Sequence, residues 1–237
     1  QKYGARNTLL VVVGENEFDE VLELSEKKLS NWENPNQELT SRWQLERQDR
    51  PHSCTKAMNK EQLCIYLGHL GTVRDNPDYY VLQVLDVILG GGPGFASRIP
   101  RRLRDEMGLA YTTYSDISGS SGLYPGRFVA YVGTSPDKRT EVLEGLHRTI
   151  SEFVESGPTE DEIRLAQSFL LGNFVFEFHS NLSLARFLLT TEIHSLGTDF
   201  PRQYSKQIRS ITCEDVSRVA RDYLDTVNYT TVYVGAV

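Results

Sequence analysis

A strand-like motif occurs near both ends of this 237-residue chain. Asn7–Gly14 reads NTLLVVVG and Asn228–Gly235 reads NYTTVYVG, and in each copy Asn and Gly are seven residues apart. The two glycines are separated by 221 residues. If the motif is a repeat, the parent protein is a tandem of domains of roughly 220 residues each. Val-x-Val-Gly is also a common strand ending, so coincidence is the alternative.

The repeat and the residues between its copies predict three segments. Residues 1–33 would hold the terminal strand and helix of a preceding repeat, with Asn7–Gly14 as a buried strand. Residues 34–60 are rich in Asn, Gln, Pro and charge, which favours a linker or an extended arm. Residues 61–237 would form a second, whole domain. Because the chain begins at Gln1 without Met or signal peptide, we expect a fragment lacking its targeting region; its compartment, cytoplasmic or periplasmic, is unknown.

Strand and helix patterns are interspersed along residues 61–237. Alternation of apolar and polar residues predicts strands at Glu61–His69, Leu109–Ser115 and Arg127–Thr134. Between the first two strands, the nearly all-apolar run Tyr79–Leu89 predicts a deeply buried helix. Helical spacing then dominates the last third of the chain up to its terminal strand.

Composition excludes several classes of protein. Lys and Arg number 25 against 32 Asp and Glu, and this net charge of −7 argues against a nucleic-acid partner. No apolar run approaches the roughly 20 residues of a membrane span. The three cysteines are widely spaced, which fits neither a disulfide framework nor a cysteine zinc site.

The chain has no complete catalytic motif. None of its five histidines has another histidine three to five residues away, so both H-E-x-x-H and its inverted form H-x-x-E-H are absent. The sequence also lacks a G-x-S-x-G nucleophile turn and a phosphate-binding P-loop. We therefore expect no metal ligands and no catalytic residue in this chain.

The segment from Ser97 to Tyr114 is the most informative for chemistry. It has four arginines within seven residues, and a solvated basic face is the ordinary interpretation of such a run. Gly108 can end the helix and turn the chain into the next strand, which could bring Arg104 and Tyr111 to the same end of the sheet. A guanidinium and a phenol together can hold a peptide carbonyl and stabilise developing negative charge on it.

A glycine-rich run, GGGPG, follows the apolar helix. One interpretation is a helix stop with a flexible turn. The other is a substrate loop at the edge of a channel, in which bare backbone approaches a bound peptide. The residues of that candidate loop are Gly90, Gly91, Gly92 and Gly94.

Several of these segments together resemble the pitrilysin family, the zinc peptidases with an inverted motif, which include insulysin and mitochondrial processing peptidase. The resemblance covers essentially the whole chain and implies an α+β fold, with helices packed on one face of a mixed, largely antiparallel sheet. The matching positions are Leu89–Gly94, Ser97, Arg98, Leu103–Glu106, Gly108–Tyr111, Gly157–Thr159, Glu162 and the terminal VYVG.

The resemblance also implies a non-catalytic role in proteolysis. In active members one domain carries zinc, and a different domain supplies an Arg and a Tyr, seven residues apart, that contact the peptide. By motif these are Arg104 and Tyr111, and the glycine run is similar to, but shorter than, the substrate loop of the processing-peptidase partner subunit. We expect this domain to bind peptide, to hold no cofactor, and to be inactive without a zinc-bearing homologous domain or subunit, in a homo- or heterodimer.

Two other functions stay open. The core subunits of respiratory complex III resemble the same family and serve mainly in assembly, so a structural role is one alternative. A peptide-binding module without cleavage is the other. The pair Arg104 and Tyr111 favours substrate contact, because a structural copy has little physical reason to keep it.

Overall fold

The computed structural model describes residues 4–34, 45–92 and 96–235. The chain divides into two compact units, Gln1–Gln44 with Gly172–Arg202, and Leu45–Leu171 with Gln203–Val237. In the described residues the helices are α1 Phe18–Leu29, α2 Tyr79–Asp86, α3 Arg98–Pro100, α4 Arg139–Ser156, α5 Glu160–Phe174, α6 Asn181–Ile193, α7 Phe200–Ser210 and α8 Cys213–Tyr223. The strands are β1 His52–Ala57, β2 Leu63–Leu70, β3 Thr112–Asp116, β4 Arg127–Thr134 and β5 Thr230–Gly235.

Among the described residues of the second unit, five strands form a sheet with the order β1-β5-β2-β4-β3. Only the β1–β5 pair is parallel; the other neighbours are antiparallel. The last strand in the sequence therefore lies inside the sheet, and β1 and β3 form its edges. This arrangement confirms the prediction of an α+β fold with a mixed, largely antiparallel sheet.

The core of this unit is formed by the apolar residues that alternate along the strands and by those that recur at helical spacing along the helices. In β2, buried Leu63, Ile65 and Leu67 alternate with half-buried residues, so one face of the sheet is covered. Helix α8 contacts both α2 and α4, and the helices bury their apolar stripes, for example Leu146 and Val219. Burying each such aliphatic side chain contributes about 1.5–3 kcal/mol.

In the first unit the helices bury few apolar side chains. Four phenylalanines, Phe174, Phe178, Phe187 and Phe200, pack ring against ring with centroids 4.9–6.2 Å apart. Helix α1 agrees with the predicted helix, but none of its residues is buried in this structure.

The expected buried strand at Asn7–Gly14 is wrong for the described chain. Residues 8–13 have no helix or strand structure, and the side chains of Leu9, Leu10 and Val12 are half exposed or more. The local pattern is that of a strand, but a strand needs a neighbouring strand to pair its backbone groups. No described strand pairs with this segment.

Strand β1 lies in the segment that the sequence assigned to a linker or extended arm. Its sequence, HSCTKA, lacks the apolar alternation that would predict a strand, and all six residues are exposed in the structure. Its pairing with β5 forms it instead, from His52 opposite Thr230 to Ala57 opposite Gly235. Residues 35–44 of that segment lie outside the described residues, and the division into 1–33, 34–60 and 61–237 stays a prediction.

Candidate functional site

The helical turns that precede Arg104 are anchored at their start. Helix α3 continues as a π-helical turn over Arg101–Glu106. Arg98 donates from Nε and Nη2 to the two carboxylate oxygens of Glu162, at 2.7 and 2.8 Å, and from Nη2 to the Gly157 carbonyl. Its guanidinium also lies over the Phe153 ring. The basic run is therefore not a uniformly solvated face, because its first arginine joins two parts of the helical layer.

A turn at Gly108 connects this segment to β3, as the sequence predicts. Gly108 has a φ of +61°, a left-handed conformation that disfavours other residues. The Leu103 carbonyl accepts from the amides of both Leu109 and Ala110, at 2.8 and 3.2 Å. From the sheet, Thr134 Oγ1 donates to the Leu109 carbonyl at 2.5 Å. The turn is therefore held from both sides.

The structure places Arg104 and Tyr111 on either side of this turn. Arg104 donates from Nε to Asp105 Oδ1 at 2.9 Å, and this hydrogen bond raises the pKa of its guanidinium. Tyr111 donates its backbone amide to the Gly133 carbonyl at 3.0 Å, while its side chain is 86% exposed. The backbone of Tyr111 is thus fixed to β4 and its phenol faces solvent. A joint contact of the two side chains with substrate stays a prediction.

A cavity of about 400 Å³ opens beside Tyr111. Lys138 lines it and donates from Nζ to the Gly108 carbonyl at 3.0 Å. The sequence alone does not reveal this cavity, because its walls come from three segments that are distant in sequence and share no motif. The lining residues are Glu61, Gln62, Gly108, Leu109, Ala110, Tyr111, Thr134, Ser135 and Lys138.

The glycine run continues α2 as a π-helical turn over Val87–Gly91. Gly90 is buried, and a Cβ on it would overlap the backbone and side chain of Ser115. A Cβ on Gly92 would overlap the Val87 carbonyl. The missing side chains of these two glycines therefore serve close packing, whereas Gly91 is exposed. Gly94 lies outside the described residues, and the role of the run as a substrate loop stays a prediction.

Ser97 ties the far end of the glycine run back to its start. Its hydroxyl donates to the Val87 carbonyl at 2.9 Å and accepts from the Gly92 amide at 3.1 Å. Both bonds are made by a buried side chain. In the Ser-Arg dipeptide, Ser97 thus binds the backbone of the glycine run, whereas Arg98 binds the Glu162 carboxylate.

A buried carboxyl group links α2 to the residues after β3. Asp86 accepts from the amides of Ile117 and Ser118, at 3.1 and 3.3 Å, and from the Ser118 hydroxyl at 2.8 Å. Burial, together with the nearby charge of Asp116, raises its pKa to about 7. The sequence signal for this group is a single acidic residue within the nearly all-apolar run Tyr79–Leu89.

Residues 1–170 match the family profile described as the peptidase M16 inactive domain. The chain belongs to this family. The resemblance to zinc peptidases of the inverted-motif type, in a domain without the zinc motif, is thereby confirmed.

Similar proteins place this M16 inactive domain among zinc-protease-like proteins. An uncharacterized zinc protease of Streptomyces coelicolor is 32% identical over 167 residues, which are 69% of this chain and 35% of that protein. A non-peptidase homolog of Helicobacter pylori is 27% identical over 89% of this chain and 48% of its own length. The chain thus spans about half or less of these relatives.

The fold has a solved counterpart in an M16 inactive domain from Pseudomonas fluorescens. The TM-score is 0.76 with 24% sequence identity, over 85% of this chain and 47% of that one. In the described part of the M16 inactive domain, no cluster of His, Cys, Asp and Glu has the size and arrangement to hold a metal ion. None of its described helices has the length and apolar character to cross a membrane.

Proposed function

We propose that this chain is the substrate-contacting domain of a zinc-dependent endopeptidase, which binds peptide for hydrolysis by a zinc-bearing homologous domain or subunit. The observation that carries the proposal is the Gly108 turn, which presents the exposed Tyr111 phenol beside a cavity of about 400 Å³. Arg104 lies on the other side of the same turn. The family of the chain supports a role in proteolysis.

Tyr111 directly precedes the edge strand β3, and this position suits contact with a peptide. The outer edge of β3 has no partner strand in the described sheet. An extended peptide can add to such an edge through main-chain hydrogen bonds. Tyr111 and Arg104 would then donate to a peptide carbonyl near the end of the added strand, where they would also stabilise negative charge that develops during hydrolysis. Zinc on the partner would activate the attacking water.

The similarity to a non-peptidase homolog favours a second candidate function, in which the domain binds or assembles without cleavage. Hydrolysis measurements separate the two. The assay uses the full-length parent protein with its zinc-bearing domain or homologue, a quenched fluorescent peptide, and parallel samples with a chelator. Arg104→Ala and Tyr111→Phe should each cost about 1–3 kcal/mol in kcat/KM, or roughly 5- to 150-fold.

The matched control is Arg148→Ala, since Arg148 is exposed on α4 and lies in the helical layer. It should retain the activity of the unaltered protein. Chelator-sensitive hydrolysis that neither Arg104→Ala nor Tyr111→Phe reduces would remove the role assigned to this pair. Binding of the peptide without hydrolysis, in the presence of the zinc-bearing partner, would instead favour the non-cleaving function.

A further inference from the structure

The face of the sheet opposite the buried core is only half covered. In β2 the core residues alternate with Cys64, Tyr66, Gly68 and Leu70, which remain partly accessible. We call this second face of the sheet the open face. In β5 its residues are Thr230, Val232 and Val234, which are also half-buried. It is thus an accessible surface built from regular strands, where side chains are held at fixed spacing.

Three tyrosines form a row across the open face. Tyr66 in β2 lies opposite Tyr131 in β4, and Tyr131 lies opposite Tyr114 in β3. The ring centroids are 4.9 Å apart in the first pair and 5.2 Å apart in the second. Such a row offers aromatic faces and hydroxyl groups together, at little cost in conformational entropy on binding.

A hollow adjoins the tyrosine row where Gly68 contributes no side chain. Its volume is about 390 Å³, and Tyr66, Leu70, Val129 and Val232 give it mainly apolar walls. Volumes of about 300–1,000 Å³ are typical of ligand pockets. A large aliphatic or aromatic side chain would remove apolar surface from water on entering this hollow.

Arg127 places a positive charge at the rim of the hollow. It lies opposite Leu70 in the sheet register and is exposed. In the part of the chain that the structure describes, it forms no ion pair. The neighbouring carboxylate Asp116 lies opposite Val129, one row away, and already accepts from the Gly119 amide. An acidic side chain of a bound peptide is therefore favoured beside Arg127, and it is disfavoured beside Gly68 and Val129, where Asp116 lies close.

We propose that the open face is a peptide-binding subsite for an extended segment in which an aromatic residue, a large apolar residue and an acidic residue alternate with small polar ones. The aromatic residue would stack on the tyrosine row, the apolar residue would fill the Gly68 hollow, and the acidic residue would pair with Arg127. This subsite uses neither Arg104 nor Tyr111, so it extends the proposed function without depending on it.

The spacing of the rows sets the pattern. Tyr66, Gly68 and Leu70 are alternate residues of one strand, so consecutive rows are about 6.6–6.8 Å apart. Alternate side chains of an extended peptide have the same spacing and point to the same side. A peptide of the form Phe-Ser-Leu-Ser-Glu thus matches the three rows, whereas Phe-Ser-Leu-Glu-Ser turns its carboxylate to the opposite side.

The test compares these two sequences as capped, fluorescein-labelled peptides whose fluorescence anisotropy reports binding to the 237-residue chain. The matched peptide should bind at least tenfold more tightly than the one with the displaced Glu. Thr230→Phe, which fills the hollow, should weaken binding of the matched peptide at least tenfold. Thr230→Val keeps the volume but removes the hydroxyl that donates to Gln48 Oε1 at 2.9 Å, so the loss that Thr230→Phe shows beyond this variant measures the filling of the hollow.

Charge reversal gives a second, independent variant in case Thr230→Phe fails to fold. Arg127→Glu should weaken binding of the matched peptide and should favour the same peptide with Lys in place of Glu. The control Arg148→Glu, in the helical layer, should change neither affinity. Equal binding of the two peptides, or unchanged binding by both Thr230→Phe and Arg127→Glu, would overturn the subsite.

Self-association gives a further outcome that overturns the proposal. A concentration-dependent dimer that Thr230→Phe abolishes, without peptide binding, would assign the open face to a second copy of the chain. The two proposals also fail separately. If Arg104→Ala reduces hydrolysis while both Thr230→Phe and Arg127→Glu leave peptide binding intact, the proposed function stands and the subsite is refuted.

Discussion

We expect Asp86 to make the stability of this domain depend on pH near neutrality. Its carboxyl group is buried and accepts three hydrogen bonds, two of them from Ser118, but it has no cationic partner among the described residues. The pKa of Asp86 is about 7 in the folded chain, compared with 3.8 for the unperturbed group. Burial is the main cause, and the charge of Asp116 adds to it.

The sign of the effect follows from proton binding. The folded pKa is raised. Between about pH 4 and pH 7 the folded chain therefore keeps a proton on Asp86 that the unfolded chain has already released. The free energy of unfolding therefore falls as the pH rises through this window. With these two pKa values, the loss between pH 5 and pH 8 is on the order of 2–3 kcal/mol.

Asp86→Asn tests this reasoning. The amide stays neutral at every pH, and its single oxygen can replace one of the two carboxylate oxygens, which accept from Ile117 and from Ser118. Urea unfolding at pH 5 and pH 8 should show that the variant loses roughly 2–3 kcal/mol less stability over this range than the unaltered chain. The control Asp75→Asn, at an exposed position before α2, should keep the full dependence.

The result that refutes the reasoning is equally specific. If Asp86→Asn and the unaltered chain lose the same stability between pH 5 and pH 8, Asp86 does not titrate in this window. A carboxylate that its hydrogen bonds stabilise, with a folded pKa below 3.8, would give this same result, because Asp86 would then be ionised in both states above pH 5.

Two further substitutions probe the supports of the candidate site by urea unfolding. Arg98→Ala leaves the half-buried Glu162 carboxylate with donors only from Thr159, so it should destabilise the fold by about 1.5–3 kcal/mol; an effect under about 1 kcal/mol would contradict the anchoring role. Gly90→Ala should cost about 1–3 kcal/mol, because its Cβ overlaps Ser115, whereas Gly122→Ala meets no atom within 4 Å and should cost less. Equal costs would mean that the Ser115 contact relaxes freely.

The sequence predicts those parts of the site that depend on local conformation. Gly108 is an example, because a glycine after a helical run and before an apolar alternation indicates a left-handed helix end, and the observed φ of +61° agrees. The apolar alternation of β2 likewise predicts which residues form the core. Each of these features is encoded within a few neighbouring residues.

Features that depend on distant partners escaped prediction. Strand β1 has no apolar alternation and is formed by its pairing with β5, about 180 residues later. The converse holds at residues 8–13, which have the sequence pattern of a strand but no paired strand in the described chain. Similar local patterns at residues 8–13 and in β5 thus give different structures, because only β5 lies between two other strands.

The position of the candidate site has the same dependence on distant residues. The Tyr111 amide and the Leu109 carbonyl are bound by Gly133 and Thr134, which belong to the end of β4 rather than to the turn. The sheet therefore fixes the backbone beneath the Tyr111 phenol before any peptide arrives. A donor whose backbone is already ordered loses less entropy on binding than one on a loose loop. In the proposed function, this preorganisation is what the domain would contribute to hydrolysis by a zinc-bearing partner: a fixed position for the peptide.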